Sequence, residues 1–441
     1  MADEIRLIDI VEEFISGDWG EESASEDSPC AVSCVRGADI VPISNSRFEN
    51  IPVRYISESS LRNRGLTEGD IIIEKSGGSP TQSTGRTVYV SKKLVEAKGN
   101  LVCSNFCQAF RVKAGWNPLY VYYYLQVVYN SGVFFNFEGK TSGLKNLILD
   151  SAFQSITIRE VPLEEQDRVA NLLSLIDEKI AANHAINDYL EAMARQLYDY
   201  WFVQFDFPDE NGKPYKSSGG RMVWNDTLKR VLPEGWNNCR LDYYIGRITN
   251  GLNPRSNFVL GGGDNYYITI RSLTGTDIDW DNCDRCDDAA LKKINARSQL
   301  QVGDIIFSAI GTIGRTYLIQ EPPSNWNISE TSFTLRSKEG VPPVFLYSLL
   351  RSAEIQMLAD KAAMGSTLRC LVMESLKQVP TVQIPTPLIQ KYASRAISIY
   401  EMVYQTNKQI AEFRKNRDEL LPLLMNGQVS VRQLNNHLSA D

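Results

Sequence analysis

The segment from Leu163 to Phe202 contains neither glycine nor proline, and this constrains the fold more than any other feature of the chain. Its apolar residues recur every three or four positions, at Val169, Leu172, Ile176, Ile180, Ile186, Leu190, Met193 and Leu197. This spacing predicts a long amphipathic helix. At about 1.5 Å per residue the helix runs roughly 60 Å, which exceeds the needs of one compact domain, so we expect a second long helix beside it.

A segment near the C-terminus has the same pattern and supplies that partner. Residues Gln390 to Met425 align with the first helix at a constant offset of 224 positions, without a gap. The matched pairs are Gln166 and Gln390, Asn183 and Asn407, Ile186 and Ile410, and Leu197 and Leu421. Two unrelated core helices would show similar spacing, and this alternative is weakened because the segments ahead of the helices also repeat.

Both helices follow a segment rich in short β-branched runs bounded by glycine, serine and proline, which predicts strands. The run LTEGDII at Leu66 to Ile72 is matched by LQVGDII at Leu300 to Ile306, and GKTSGLKNL at Gly139 to Leu147 by GSTLRCL at Gly365 to Leu371. We predict an α+β chain with two β-rich domains in tandem, each followed by a long helix, and the two helices pairing as an antiparallel coiled coil around a pseudo-two-fold axis. The predicted bounds are domain 1–162, helix 163–202, ordered connector 203–236, domain 237–387, helix 388–426 and tail 427–441.

The charge balance gives a mixed indication about partners. The net charge is −7 and the pI about 5.3, which argues mildly against nucleic acid, because phosphate binding usually leaves a basic footprint. Acidic residues are concentrated in Glu21 to Asp27, in Asp277 to Asp288 and in the first long helix, whereas arginine and lysine occur in glycine-containing loops. No apolar run reaches the length of about 18 residues that a membrane span needs, so we expect a cytoplasmic protein.

The sequence lacks the usual signatures of catalysis and metal binding. EGKTSG at Glu138 to Gly143 looks like the end of a phosphate-binding loop, but Phe134 stands where that loop requires glycine. The Pro-Pro pairs follow Glu321 and Val341 rather than the Asn or Asp of a DNA methyltransferase. The chain has one C-x-x-C pair and two histidines, too few for a zinc site, so we predict neither catalytic residues nor a metal.

Basic and small polar residues occur at matching places in the two β-rich domains. Arginine can bond the O6 and N7 atoms of guanine together, and small residues let a backbone approach a ligand closely. We therefore predict DNA contacts from Arg36, Lys75, Arg86, Lys140, Ser142 and Lys145 in the first domain, and from Arg271, Thr312, Arg315, Ser366 and Arg369 in the second. Turn-forming loops of β proteins that bind no DNA have a similar composition, and this alternative stays open.

Four further segments complete a family pattern: WFVQFDFP at Trp201 to Pro208, PYKSSGGRM at Pro214 to Met222, LPEGW at Leu232 to Trp236 and LLPLLMNGQV at Leu420 to Val429. Together with the repeated domain and helix, they resemble the specificity subunit of type I restriction-modification systems. The resemblance implies a non-catalytic subunit whose two target-recognition domains each read one half of a split DNA site, while the helices set the spacing. It also implies as partners double-stranded DNA, two modification subunits that bind S-adenosylmethionine, and two restriction subunits that use ATP and Mg, with no cofactor in this chain.

Two asparagines fall at matched positions within the helices. Asn183 lies between Ile180 and Ile186, and Asn407 lies between Tyr404 and Ile410. In an unstaggered antiparallel pair they would meet, and a buried polar pair fixes the register of two helices. The alternative is that Asn183 faces solvent. For the whole chain, the alternative to DNA reading is a non-catalytic coiled-coil scaffold whose β domains bind protein.

Overall fold

Residues 4–77, 82–141, 144–366 and 368–431 are described by the computed structural model of the protein. The chain divides into two units, which are Met1–His184 with Gln409–Asp441, and Ala185–Lys408. Each unit therefore combines one β-rich segment with a part of both long helices. No helix in the described ranges is both long and apolar enough to cross a membrane.

Within its described residues, the first unit holds twelve short strands, six short α-helices and parts of both long helices. Its strands are β1 (Glu4–Arg6), β2 (Val11–Ser16), β3 (Cys30–Val35), β4 (Val53–Ile56), β5 (Ile71–Glu74), β6 (Ser76–Gly77), β7 (Thr87–Tyr89), β8 (Leu101–Cys103), β9 (Cys107–Val112), β10 (Glu138–Thr141), β11 (Leu144–Leu147) and β12 (Thr157–Arg159). Its helices are α1 (Leu7–Ile10), α2 (Ile40–Ser44), α3 (Glu58–Arg64), α4 (Lys92–Lys98), α5 (Pro118–Asn130), α6 (Leu149–Ser155) and the beginning of α7 (Leu163–Tyr198).

The core of the first unit is a four-stranded antiparallel sheet in the order β2-β9-β5-β7. Ile71, Ile72 and Ile73 of β5 are all fully buried, because both faces of this central strand are covered. A three-stranded sheet, β4-β3-β8, lies beside it and contains a parallel pair, β3 with β8. Strand β1 pairs with β12, which brings the start of the chain next to the segment that leads into α7.

The second unit continues α7 and ends with most of the second long helix. Its strands are β13 (Met222–Asn225), β14 (Arg230–Pro233), β15 (Asn237–Arg240), β16 (Ile245–Asn250), β17 (Asn265–Ile268), β18 (Asp284–Cys286), β19 (Ile305–Ser308), β20 (Thr316–Leu318), β21 (Trp326–Ile328), β22 (Ser332–Ser337) and β23 (Pro380–Gln383). Its helices are α8 (Asp288–Ser298), α9 (Pro343–Arg351), α10 (Ala353–Ala362), α11 (Met373–Lys377) and α12 (Thr386–Met425).

The strand order of the second unit repeats that of the first. The sheet β16-β22-β19-β20 matches β2-β9-β5-β7, the sheet β18-β17-β21 matches β4-β3-β8, and β15 with β23 matches β1 with β12. Gly17 and Gly251 stand at equivalent places, and at both a side chain would overlap a backbone carbonyl of the neighbouring strand end, that of Ser104 or of Ile328. The predicted tandem of α+β domains, each followed by a long helix, is confirmed.

The connector forms an ordered part of the second unit. Helix α7 passes into a π-helical turn at Asp199–Val203, and the rings of Phe207, Tyr215 and Trp236 then stack with centroid separations of 4.8 and 5.1 Å. Helix α12 begins at Thr386, two residues before the predicted start, because Pro387 falls in the first turn, where a missing N–H costs nothing.

The long helices run antiparallel within each unit. In the first unit, Asn183 Nδ2 donates to Gln409 Oε1 at 3.2 Å and Arg417 Nη1 donates to Asp177 Oδ1 at 2.8 Å. In the second unit, Asn187 Nδ2 donates to Asn407 Oδ1 at 2.6 Å, while the rings of Tyr198 and Tyr392 lie 6.1 Å apart. The residue numbers of the contacts on α12 therefore decrease as those on α7 increase, as expected of antiparallel helices.

The expected pairing of Asn183 with Asn407 is corrected by these contacts, because each asparagine bonds a different residue. The asparagine of α7 that is buried is Asn187, which is 5% exposed and lies one turn beyond Asn183. The buried stripe of α7 passes through Ile180, Asn187 and Ala194 at intervals of seven residues. Ile186 and Met193, which the sequence pattern placed in the stripe, are instead about half exposed.

We predict that Asn187→Leu alone lowers the free energy of unfolding by about 1–3 kcal/mol, because Asn407 Oδ1 loses its donor, whereas Asn187→Leu with Asn407→Leu is more stable than the single variant. The measurement is the free energy of unfolding in urea. Asn183→Leu at the less buried position is the control and should change it by less than about 0.5 kcal/mol. A double variant that is less stable than the single one contradicts a buried amide pair.

Candidate nucleic-acid interface

One edge of the first unit carries several of the residues predicted to contact DNA. The backbone amides of Lys75 and Ser76 both donate to the Phe106 carbonyl, at 2.8 and 3.0 Å, and the Leu147 amide donates to the Lys75 carbonyl at 2.8 Å. Strand β11 pairs with β6, so Lys145 lies opposite Gly77. The structure thus places the backbone of Lys75 between the turn at Phe106 and strand β11, which carries Lys145.

The second unit builds an equivalent edge with the same hydrogen bonds. The amides of Ala309 and Ile310 both donate to the Thr331 carbonyl, at 2.9 and 3.2 Å, and the Leu371 amide donates to the Ala309 carbonyl at 2.8 Å. The backbone of Cys370 forms an antiparallel β-bridge with Ile310, and in the first unit Asn146 pairs with Ser76 in the same way. Arg369 therefore occupies the position of Lys145, which supports the repeat between the two glycine-containing segments seen in the sequence.

Both of these equivalent cations pair with a carboxylate of their own unit. Lys145 Nζ lies 3.0 Å from Glu138 Oε2 and 4.8 Å from the centre of the Phe135 ring. Burial alone would raise the pKa of the Glu138 carboxyl, but hydrogen bonds from Thr84 and Lys145 outweigh it and hold that pKa below its ordinary value. Arg369 Nη1 donates to Asp360 Oδ1 at 2.7 Å.

The guanidinium of Arg86 forms an ion pair with a buried carboxylate. Its Nε and Nη2 donate to the two oxygens of Glu74 at 2.9 and 2.6 Å, and the Glu74 side chain is 3% exposed. The bonds to Glu74 raise the pKa of the Arg86 guanidinium, although burial opposes the shift. The carboxylate thereby occupies the Nε–Nη2 edge of the guanidinium and fixes its orientation.

Arg315 occupies the place of Arg86 in the second unit, where Ser308 replaces the glutamate. Its Nη1 donates to the carbonyls of Ile270 and Leu273 at 3.0 and 2.7 Å, and its amide donates to Ser308 Oγ at 2.8 Å. Arg86 therefore holds the end of β5 and Arg315 holds the loop at 270–273, roles that a sequence pattern could not distinguish from reading bases.

The other predicted contact residues are distributed as follows. Arg36 makes two bonds of 2.9 Å to Asp39, and Arg271 is largely exposed and lies 3.2 Å from Asp284. Thr312 and Ser366 are exposed. The side chain of Lys140 and all of Ser142 lie outside the described residues. DNA contact by any residue of this set stays a prediction.

Exposed apolar side chains at the same edges were not anticipated from the sequence. Phe106 is 56% exposed on the turn that receives the Lys75 and Ser76 amides, and Met364 and Leu368 are 63% and 64% exposed beside Arg369. Apolar side chains can contact the methyl group of thymine. Sequence offers no signal for them, because exposure depends on which face of a turn remains uncovered.

None of the eight cysteines takes part in a disulfide. All eight carry free thiols, and burial raises the pKa of Cys34 and of Cys107 to about 12. Within the described ranges, no group of three or more His, Cys, Asp or Glu residues could hold a metal ion.

Comparison with known proteins finds similarity to the same family that the sequence motifs resemble. Residues 44–192 match the family described as type I restriction modification DNA specificity domain. The chain is 24% identical over 430 residues to the type I restriction enzyme MjaIX specificity subunit of Methanocaldococcus jannaschii, covering 95% of this chain and 93% of that protein. It is 21% identical to the HindI specificity subunit of Haemophilus influenzae, covering 66% of this chain and 73% of that protein.

A solved structure shares the fold. The type I restriction-modification S subunit of M. genitalium superposes with a TM-score of 0.53 at 14% identity, and 96% of each chain is covered. The resemblance to type I specificity subunits that the sequence motifs indicated is confirmed.

We predict that Arg86→Ala lowers the free energy of unfolding by about 3–5 kcal/mol, because it leaves the buried Glu74 carboxylate without its partner. Arg271→Ala, which removes an exposed arginine, should cost less than about 1 kcal/mol. Urea denaturation of both variants measures the difference. Equal costs for the two substitutions would show that Arg86 has no structural role.

Proposed function

We propose that this chain, which carries the DNA specificity domain of type I restriction-modification proteins, reads a two-part double-stranded DNA site and directs adenine methylation or restriction by partner subunits. The observation that carries the proposal is the repetition of one architecture in both units. Each unit presents an edge made of the same backbone hydrogen bonds, with a cation at the same position, Lys145 or Arg369. Two such edges with different side chains suit two different half-sites.

The contacts of the predicted residues suggest two roles. Lys75, Lys145, Thr312 and Arg369 would meet bases or phosphates, as would Lys140, Ser142 and Ser366, which are their neighbours in the sequence. Arg36 and Arg271 would extend the surface. Arg86 and Arg315 would act indirectly, by holding the loops. Because Lys145 and Arg369 are paired with carboxylates, phosphates would compete with Glu138 and Asp360 for them, which favours a defined docking geometry over general attraction to DNA.

The proposal gives this chain no chemistry of its own. Methyl transfer would belong to two modification subunits that bind S-adenosylmethionine, and cleavage to two restriction subunits that use ATP and Mg. An exposed apolar stripe on α7 suits a helical partner: Ile186, Tyr189 and Met193 are 47%, 77% and 53% exposed. As a reader of cellular DNA, the chain would act in the cytoplasm.

A protein-binding scaffold is the second candidate, and the same exposed stripe with the acidic net charge favours it. A scaffold requires no preference for a DNA sequence under any condition. A DNA reader requires a preference that weakens as salt rises, since each phosphate contact releases counterions.

We predict that Arg369→Ala weakens binding by about 5- to 150-fold on duplexes that contain the half-site read by the second unit, and that it relaxes specificity there alone. Lys145→Ala should act on the other half-site. Gel-shift assays with the modification subunit present, on duplexes altered in one half-site at a time, measure both effects. Arg221→Ala in the connector, where the side chain is 76% exposed, is the control. Equal loss on both half-sites for Arg369→Ala would refute two independent readers.

We also predict that the purified chain transfers no methyl group from S-adenosylmethionine to DNA, and that it binds two modification subunits. Met193→Glu should weaken this binding, because it places a charge in the apolar stripe, whereas Glu178→Gln on the exposed helix surface should not. Mass measurement of the complex gives the stoichiometry. One modification subunit per chain at saturation contradicts the proposal.

A further inference from the structure

A carboxylate on α7 ties the β-rich part of the first unit to both long helices. Asp177 accepts a hydrogen bond of 2.7 Å from the Tyr123 hydroxyl on α5 and one of 2.8 Å from Arg417 on α12. Tyr123 is 3% exposed, and burial and the Asp177 charge raise its pKa, so it stays protonated and donates. One side chain thus receives donors from two different elements.

A carboxylate of the second unit also joins α7 to the β-rich part of its unit, although its second donor lies in a loop and not on α12. Glu191, also on α7, accepts 2.7 Å bonds from Arg351 Nη2 at the end of α9 and from Thr276 Oγ1 in the loop after β17. Arg351 is held in turn by the Tyr347 hydroxyl at 2.8 Å. Helix α9 follows the last strand of its four-stranded sheet, as α5 does in the first unit.

The two carboxylates are not copies of each other. The residue 224 positions after Asp177 is Glu401, which is exposed, and Glu191 is not related to Asp177 by the repeat. The same mechanical link, from α7 to the helix that backs the sheet, is therefore made twice with different donors. A requirement for a fixed joint explains this better than inheritance of one motif.

The angle of this joint has a large effect at the far edge of the unit. A globular segment of about 150 residues is roughly 30–40 Å across, so a rotation of about 10° on the helix moves its far edge by roughly 5 Å. Base pairs are about 3.4 Å apart along DNA. Apolar packing alone permits packed helices to shift by 1–2 Å or so, whereas a carboxylate bonded to two fixed donors restricts the angle.

We propose that Asp177 and Glu191 are positioning residues that fix the angle of each β-rich segment on the long helices and thereby the spacer length that the chain accepts between half-sites. The inference rests on the proposed function. Neither residue would touch DNA.

The test compares binding to duplexes with the preferred spacer and with spacers one base pair shorter or longer. The variants are Asp177→Asn and Tyr123→Phe in the first unit, and Glu191→Gln and Thr276→Val in the second; the two hydroxyl deletions are mild enough to leave the fold intact. Glu178→Gln and Glu401→Gln are matched controls on exposed surfaces. We expect the preference for the correct spacer to fall by about tenfold in the variants and to be unchanged in the controls.

Two readouts separate positioning from general loss of stability. Discrimination between correct and altered bases within each half-site should be retained, and combining Asp177→Asn with Arg417→Gln, which restores a neutral hydrogen bond, should recover part of the spacer preference. Variants that lose affinity equally for all spacers overturn the inference. A wild-type chain that prefers no two-part duplex overturns the proposed function itself, which is a distinct outcome.

Discussion

The antiparallel packing of α7 against α12 is the contact on which the rest of the structure depends. Each unit completes its core with residues from both long helices. In the first unit, Val169 and Leu173 pack in the same cluster as Leu421 and Leu424, and in the second, Leu190 and Ala194 share a cluster with Tyr392 and Val403. A change that separates the helices would therefore open both cores, which makes the helix pair a structural element and not a simple linker.

The same strand order supports two edges with different surroundings. In the first unit Glu74 is buried under Arg86, while in the second Ser308 leaves Arg315 to bond carbonyls, so an equivalent arginine has a different partner. Under the proposed function, a shared backbone scaffold with exchangeable side chains would allow one half-site to change without disturbing the other. Local pairing of Lys145 and Arg369 with carboxylates would also reconcile the proposed DNA reading with an acidic chain, since geometry rather than net charge would select the site.

Periodicity and internal repeats were sufficient to predict the long helices, the tandem of β-rich domains and the equivalence of the two hairpin segments, because these follow from residue spacing along the chain. Contacts between distant residues were not predictable. Asn187 rather than Asn183 is the buried amide because burial depends on the path of the partner helix, and single positions do not define it. Glu74 and Arg86 are twelve residues apart, and nothing in the sequence indicates that they pair. Only the folded sheet brings Arg86 Nη2 to 2.6 Å from Glu74 Oε1.

The central claim is that two units of one chain read two separated parts of one DNA site. Sequencing of adenine methylation, in a host that carries this chain with its modification subunits, tests it most directly. The account predicts a single methylated motif with two defined parts and a spacer of fixed length and unspecified sequence, which disappears when this chain is deleted. A continuous motif, or methylation that persists without the chain, would contradict it.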